Sequence, residues 1–222
     1  MDLPTLVFVP GFMQRGDAWA PVARQLEERY PSILLDHAGE QPPPGGVVVG
    51  YSMGGRLALH AALAEPDRWR ALALVGVSAG IEDREARRAA DEELADWIEA
   101  HTIEEVVARW ERLPVFATQS HALVEAQRPG RSLHDPKDLA RLIRRAGQGA
   151  MPPVWDRLPE LAIPVLCVAG AHDERYVAAG KRMAALLPNG TFRTIPGTGH
   201  APQLENPDAV AAELCAFLGE RF

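Results

Sequence analysis

The sequence predicts an α/β fold: an open, mostly parallel sheet with helices on both faces and a helical insertion near its middle. Three observations predict it. Short apolar, β-branched runs alternate with amphipathic helical patterns along most of the 222 residues, which is the rhythm of strand–helix–strand units. Those runs lack polar alternation, so both faces of each strand are expected to be buried, as in parallel sheets. Residues 81–155 carry helical patterns and no strand pattern, the signature of a lid inserted after one strand.

In chain order, Leu3 to Val9 (LPTLVFV), closed by Pro10 and Gly11, reads as a central strand. After Asp17, the residues Trp19, Val22, Ala23, Leu26 and Tyr30 recur at helical spacing with Arg24, Glu27 and Glu28 between them, giving a helix laid on the sheet. Further strands are expected at Ser32 to Asp36, Gly46 to Tyr51, Ala71 to Val77, Ile163 to Ala169 and, most weakly, Thr191 to Ile195. Helices are expected at Met53 to Ala64, Val177 to Leu187 and Pro207 to Leu218, the last with Asn206 as cap and Pro207 in the first turn. In the insertion, Glu85 to Ala100 is helical, and Thr102 with Glu105 forms a capping box that opens Ile103 to Leu113. The expected organisation is one domain: core 1–80, lid 81–155 and core 156–222. Asp36 and Val47 are joined by ten residues that include Pro42, Pro43, Pro44, Gly45 and Gly46, where no helix fits.

Composition excludes several functions. Hydrophobic residues at 47% and charged residues at 24% are near globular averages, unlike a disordered or fibrous chain. A net charge of -7 argues against a broad grip on nucleic acid or anionic lipid. Cys167 and Cys215 lie in separate apolar stretches without CxxC spacing and read as buried thiols in a reducing compartment. With no leader pattern and no spanning run, the expected location is the cytoplasm. His37, His60, His101, His121 and His134 are scattered without metal-ligand spacing, and no P-loop or GxGxxG is present, so no metal, nucleotide or other cofactor is expected.

The chemistry concentrates in three loops. Gly50-Tyr51-Ser52-Met53-Gly54-Gly55 sets a serine between a buried strand and a helix, with glycines at the two positions where a tight strand-to-helix bend needs neighbours without side chains. A serine hydroxyl needs a base, and an imidazole base needs an acid to hold its tautomer. His200 in GTGHAP and Asp173 in GAHD both follow predicted strands and fall at the same sheet edge as Ser52. Asp173 could otherwise cap the next helix, and Glu174 is the alternative acid. Backbone donors for an oxyanion are expected at Met53 and Phe12.

In order, PGF, GYSMGG, GAHD and GTGH make the chain resemble the α/β-hydrolase fold family over nearly its whole length. Within it, the chain is most similar to the 2-succinyl-6-hydroxy-2,4-cyclohexadiene-1-carboxylate synthases of menaquinone biosynthesis. That likeness lies in GYSMGGR, Arg87 to Asp91 ahead of Ala95, Trp110 in WERLPVF, and GAMPPVW at Gly149 to Trp155. The resemblance implies a lyase acting on a small anionic substrate, in which a Ser52–His200–Asp173 triad removes a proton beside a carbonyl-conjugated carbon and expels pyruvate. Arg56, one turn into its helix, could pair with a substrate carboxylate. Arg87 matches the family's lid arginine, with Arg84 and Arg88 as competitors, and Tyr51 and Trp110 match an aromatic wall. A serine carboxylesterase and a non-catalytic binding module remain open alternatives.

Two departures stand out. The family usually has HGF where this chain has Pro10-Gly11-Phe12, which puts the shape of the oxyanion loop in question. The chain also lacks the helix that ordinarily follows a DxPGHGxS loop, so its fold is a shortened one with one sheet-covering helix missing. Apolar sheet surface should be exposed there, and the expectation is that a second subunit of a homodimer or a shifted helix covers it.

Overall fold

The computed structural model describes residues 3–222, and all six expected strands form. They are β1 (Leu6–Val9), β2 (Ser32–Leu34), β3 (Val47–Tyr51), β4 (Ala71–Val75), β5 (Val165–Gly170) and β6 (Gly190–Ile195). Their order is β2-β1-β3-β4-β5-β6 and every pair is parallel. The chain winds outward from β1 in one direction and from β3 in the other, so a crevice opens between the carboxyl ends of β1 and β3. The loop Pro10–Phe12 leaves β1 at that crevice, and Ser52 leaves β3 beside it.

α1 (Ala20–Leu26) and α9 (Pro207–Gly219) cover one face of the sheet, where Leu6, Phe8, Trp19, Val22, Leu214 and Phe217 form one core. The Trp19 indole donates to the Val9 carbonyl at 3.1 Å, so its one polar group is satisfied. The helix is shorter than its apolar spacing predicts. A 3-10 turn at Gly16–Trp19 precedes it, and Pro31 disfavours helical backbone at Tyr30. α2 (Ser52–Ala64) and α7 (Glu174–Leu186) cover the other face, where Val7, Val9, Val48, Leu59 and Met183 are buried. Asn206 closes the short α8 (Pro202–Glu205) and caps α9 as expected, accepting from the Ala209 N–H at 3.1 Å.

Between β4 and β5 lie α3 (Arg84–Glu99), α4 (Ile103–Trp110), α5 (His121–Arg131) and α6 (Pro136–Ala146). The Thr102–Glu105 capping box is present at α4. Arg144 of α6 pairs with Glu92, Asp96 and Glu99 of α3 at 2.6 to 2.9 Å. A third core joins the insertion to the sheet edge: Phe12, Met13 and Met53 pack with Ala95, Ile98, Val107, Leu139 and Ile143. α3, α4 and α6 therefore sit above the crevice.

No helix forms between β2 and β3, in agreement with the sequence, but the sheet is not left bare there. Val7, Val9 and Val48 are at most 1% exposed because the linking segment folds across them. Leu35 joins the core, and Pro43 and Pro42 present their carbonyls to the Trp69 indole at 2.8 Å and to Arg68 at 3.3 Å. Apolar exposure in the segment is confined to Ile33 and Leu34 on the edge strand, so the premise for a covering subunit or a shifted helix falls away. Cys167 is buried, and burial pushes its thiol up to about 12; Cys215 is only half-buried, contrary to expectation, and both are free. Among the described residues no helix is long and apolar enough to cross a membrane.

Candidate active site

Ser52 is the first residue of α2 and holds a backbone φ of 48°, a left-handed value that a non-glycine residue adopts at a cost of about 1–3 kcal/mol. The flanking glycines make the bend feasible. A Cβ on Gly50 would come within 2.5 Å of the Gly55 Cα, and one on Gly54 would collide with the Pro10 carbonyl oxygen. The strand and helix thus meet at backbone contact distance, and the hydroxyl stands at the crevice.

His200, in the loop after β6, places Nε2 3.2 Å from Ser52 Oγ and Nδ1 2.7 Å from Asp173 Oδ2. A carboxylate only accepts, so Nδ1 carries the proton and Nε2 is left to accept from the serine. Asp173, just past β5, is the carboxylate that meets the imidazole, whereas Glu174 is exposed at the start of α7. Tyr51 and Tyr176 flank the imidazole, with ring centroids 5.3 and 4.5 Å away. Burial, with nearby negative groups, holds the Tyr51 phenol well above its usual range, so it stays neutral.

Phe12 and Met53 line the same cavity. Met53 is the second residue of α2, where N–H groups have no intrahelical acceptor. The β1 loop is a tight turn in which the Gln14 N–H donates to the Gly11 carbonyl at 3.2 Å and the Gly11 N–H donates to Gln14 Oε1 at 3.4 Å. Met13 takes a φ of 60° within it. Pro10 replaces a residue with an N–H, yet no cis peptide occurs among the described residues. Gly11 is needed because a Cβ there would come within 2.6 Å of the Tyr51 ring.

The cavity has a volume of about 440 Å³. All nine residues singled out from the sequence line it: Phe12, Tyr51, Ser52, Met53, Arg56, Arg87, Trp110, Asp173 and His200. Trp110 meets Phe12 edge to face at 5.0 Å, closing the aromatic wall between insertion and core. Of the three lid arginines only Arg87 lines the cavity; Arg84 reaches the carbonyls of Gly149 and Ala150, and Arg88 is exposed. Arg87 is steered by the buried Asp91, its Nε donating to Oδ1 at 2.7 Å, while Oδ2 accepts from the Gly149 N–H at 2.9 Å.

Arg56 is 5% exposed. Its Nη2 donates to the Ala146 carbonyl at 2.6 Å, and its Nε is buried without a hydrogen-bond partner. Burial lowers its pKa to about 10, which leaves it charged at neutral pH. No carboxylate pairs with it among the ion pairs of the described residues. Asp91 supports its charge only at longer range, and a buried cation with no directly paired carboxylate, in the same cavity as Ser52, is a place for an anion.

Four further residues with polar side chains line the cavity: Gln14, Gln148, Arg175 and Tyr176. Tyr176 had a sequence signal, since it lies three positions after Asp173 on the same helical stripe as Gly180 and Met183, which are buried. The glutamines had none, because each reaches the cavity through a loop.

Comparison with known proteins finds relatives along nearly the whole chain. A synthase from Serratia proteamaculans (strain 568), 2-succinyl-6-hydroxy-2,4-cyclohexadiene-1-carboxylate synthase, is 29% identical over 245 residues, covering 98% of this chain and 94% of that protein. A Bacillus subtilis (strain 168) protein that carries the same name provisionally is 33% identical over 177 residues, which span 77% of this chain and 65% of its own length. The solved structure of MenH from S. aureus matches with a TM-score of 0.91 at 29% identity, covering 98% of this chain and 94% of that one. A thermophilic esterase from Thermogutta terrifontis matches with a TM-score of 0.83 at 21% identity, a likeness of fold alone. The model of the alpha/beta hydrolase family matches residues 32–213, from the edge strand into the last helix, and the chain belongs to that family.

Proposed function

We propose that this protein is a lyase of the 2-succinyl-6-hydroxy-2,4-cyclohexadiene-1-carboxylate synthase type, which eliminates pyruvate from an anionic cyclohexene polycarboxylate. The observation that carries this reading is Arg56, buried in the cavity of Ser52 with no carboxylate in direct contact and only Asp91 at longer range. An acyl slot for a neutral ester gains nothing from such a charge, whereas a substrate carboxylate converts it into a charge-assisted pair. Arg87 adds a second cation, because its bond to Asp91 uses Nε and leaves the outer nitrogens for a ligand.

In this mechanism Asp173 holds His200 in the tautomer that takes the Ser52 proton. The serine oxygen then accepts the substrate proton beside the carbonyl-conjugated carbon. The freed electron pair moves through the conjugated ring and breaks the C–O bond to the enolpyruvyl group. The N–H groups of Phe12 and Met53 stabilise the developing enolate oxygen. His200 returns its proton to the departing enolpyruvate, which leaves as pyruvate, and no ester bond is hydrolysed.

A serine carboxylesterase is the second reading, favoured by the Ser52–His200–Asp173 hydrogen-bond chain, which also suits acyl transfer. Supplying the enolpyruvyl-bearing cyclohexene substrate and measuring pyruvate separates the two. The lyase releases pyruvate, is nearly inert on short p-nitrophenyl esters, and loses its activity in Ser52→Ala. Rapid ester turnover without pyruvate release would replace the first reading with the second.

A further inference from the structure

The geometry points to Tyr176 as a specificity-determining residue of this cavity, a phenol whose proton is fixed by Gln148 to face a carboxylate of the ligand. This assignment rests on the anionic-substrate reading above and names the group that shares the anion with Arg56.

The direction of the Tyr176 hydroxyl follows from a short chain of donors. A guanidinium only donates, and Arg175 Nη2 lies 3.4 Å from Gln148 Oε1. That contact fixes the amide: its oxygen faces Arg175 and its nitrogen faces Tyr176. Gln148 Nε2, which only donates, lies 2.9 Å from the Tyr176 hydroxyl oxygen. The phenol oxygen therefore accepts from Gln148, and its single proton cannot point back along that bond. Tyr176 is buried, lines the cavity with Ser52 and packs on the His200 ring, so the free direction for the proton is the cavity. Arg56, which lines the same space, lies within electrostatic reach of the phenol. A neutral O–H donor and a buried guanidinium together match a carboxylate, which offers acceptors in several directions. Gln148 follows α6 and Tyr176 lies on α7, so the insertion sets the polarity of a core side chain.

Calorimetric titration with phthalate, a planar ring dicarboxylate, tests the assignment. Tyr176→Phe keeps the ring against His200 and should weaken phthalate binding about 10-fold, the scale of one hydrogen bond to a charged group. Gln148→Met removes the N–H that orients the phenol and should weaken binding about 3-fold, on the same scale for a partial loss of orientation. The double variant should bind no more weakly than Tyr176→Phe alone, since Gln148 acts through the hydroxyl. Melting temperatures of the variants establish that each is folded. Unchanged affinity in Tyr176→Phe, or losses that simply add, would overturn the assignment and leave the anionic-substrate reading standing. A wild-type protein that does not bind phthalate at all would remove that reading, and this assignment with it.

Discussion

The Asp173 carboxylate stands at the N-cap position of α7 and caps nothing; its Oδ2 lies instead 2.7 Å from His200 Nδ1. A side chain well suited to satisfying the first turn of its own helix is turned toward a loop 27 residues away. The two roles respond differently to substitution. Asparagine caps a helix about as well as aspartate, but its amide would hold the imidazole in the wrong tautomer. Asp173→Asn should lower kcat about 10³–10⁴-fold, the scale seen when a triad acid is made neutral, with the melting temperature nearly unchanged. A variant of full activity would remove Asp173 from the relay.

Arg56 should show activity and stability moving in opposite directions. Its guanidinium is buried with one carbonyl partner and an unsatisfied Nε, an arrangement that is costly in the free protein and useful only when an anion arrives. Arg56→Met should lower kcat/KM for pyruvate release about 10–100-fold, as expected for a charge-assisted contact, while leaving the melting temperature equal or higher. Turnover of a neutral p-nitrophenyl ester should fall less. Equal losses on both substrates would remove the carboxylate-pairing role.

Acid should destabilise the fold through two histidines that the relay does not use. Burial, then Arg56 and Arg157, lowers His60 to about 4; burial, then Arg15 and His37, lowers His134 to about 4. Each Nε2 is buried without a partner. Both folded values lie below the unfolded value of about 6.5, so the unfolded chain binds more protons between these limits. Stability is therefore complete above pH 6.5 and declines as pH falls toward 4. Melting curves from pH 7.5 to 4.5 should show that decline, and the double variant His60→Gln with His134→Gln should flatten it. An identical slope in the variant would assign the decline to other groups.

What was legible in the sequence follows the range of the interactions involved. The strands were legible because doubly buried β-branched runs have no other use, and the Ser52 bend because Gly50 meets Gly55 within one short motif, while Gly54 is demanded by the distant Pro10 carbonyl. His200 and Asp173 were legible only as members of a familiar order of motifs; the edge of a parallel sheet then brings them together. The Gln148–Tyr176 contact was not legible, since it depends on where α6 ends above α7. The covering of the sheet face beside β2 was not legible for a similar reason. Proline carbonyls at 42 and 43 are acceptors that need no helix, and Arg68 and Trp69, just before β4, supply their donors.

The insertion should depend on one buried carboxylate. Glu111, just after α4, receives Arg131 at 3.2 Å and Arg128 at 2.6 Å, both from α5. The Glu111 and Arg131 side chains are 7% and 2% exposed, while Arg128 is half exposed. Removing the carboxylate leaves Arg131 charged, enclosed against Phe116 and without compensation, so Glu111→Gln should cost about 3 kcal/mol. Arg128→Ala should cost much less, because water screens that partner. The informative comparison is Glu111→Leu with Arg131→Met, which removes both charges and fills the space with apolar groups. It should be more stable than Glu111→Gln, since an apolar replacement of a buried pair escapes the penalty of an orphaned ion. Thermal melts of the four proteins rank these effects. If Glu111→Gln melts with the wild type, the carboxylate does not hold α4 to α5, and the packing of Phe116 and Trp110 alone keeps the insertion over the cavity.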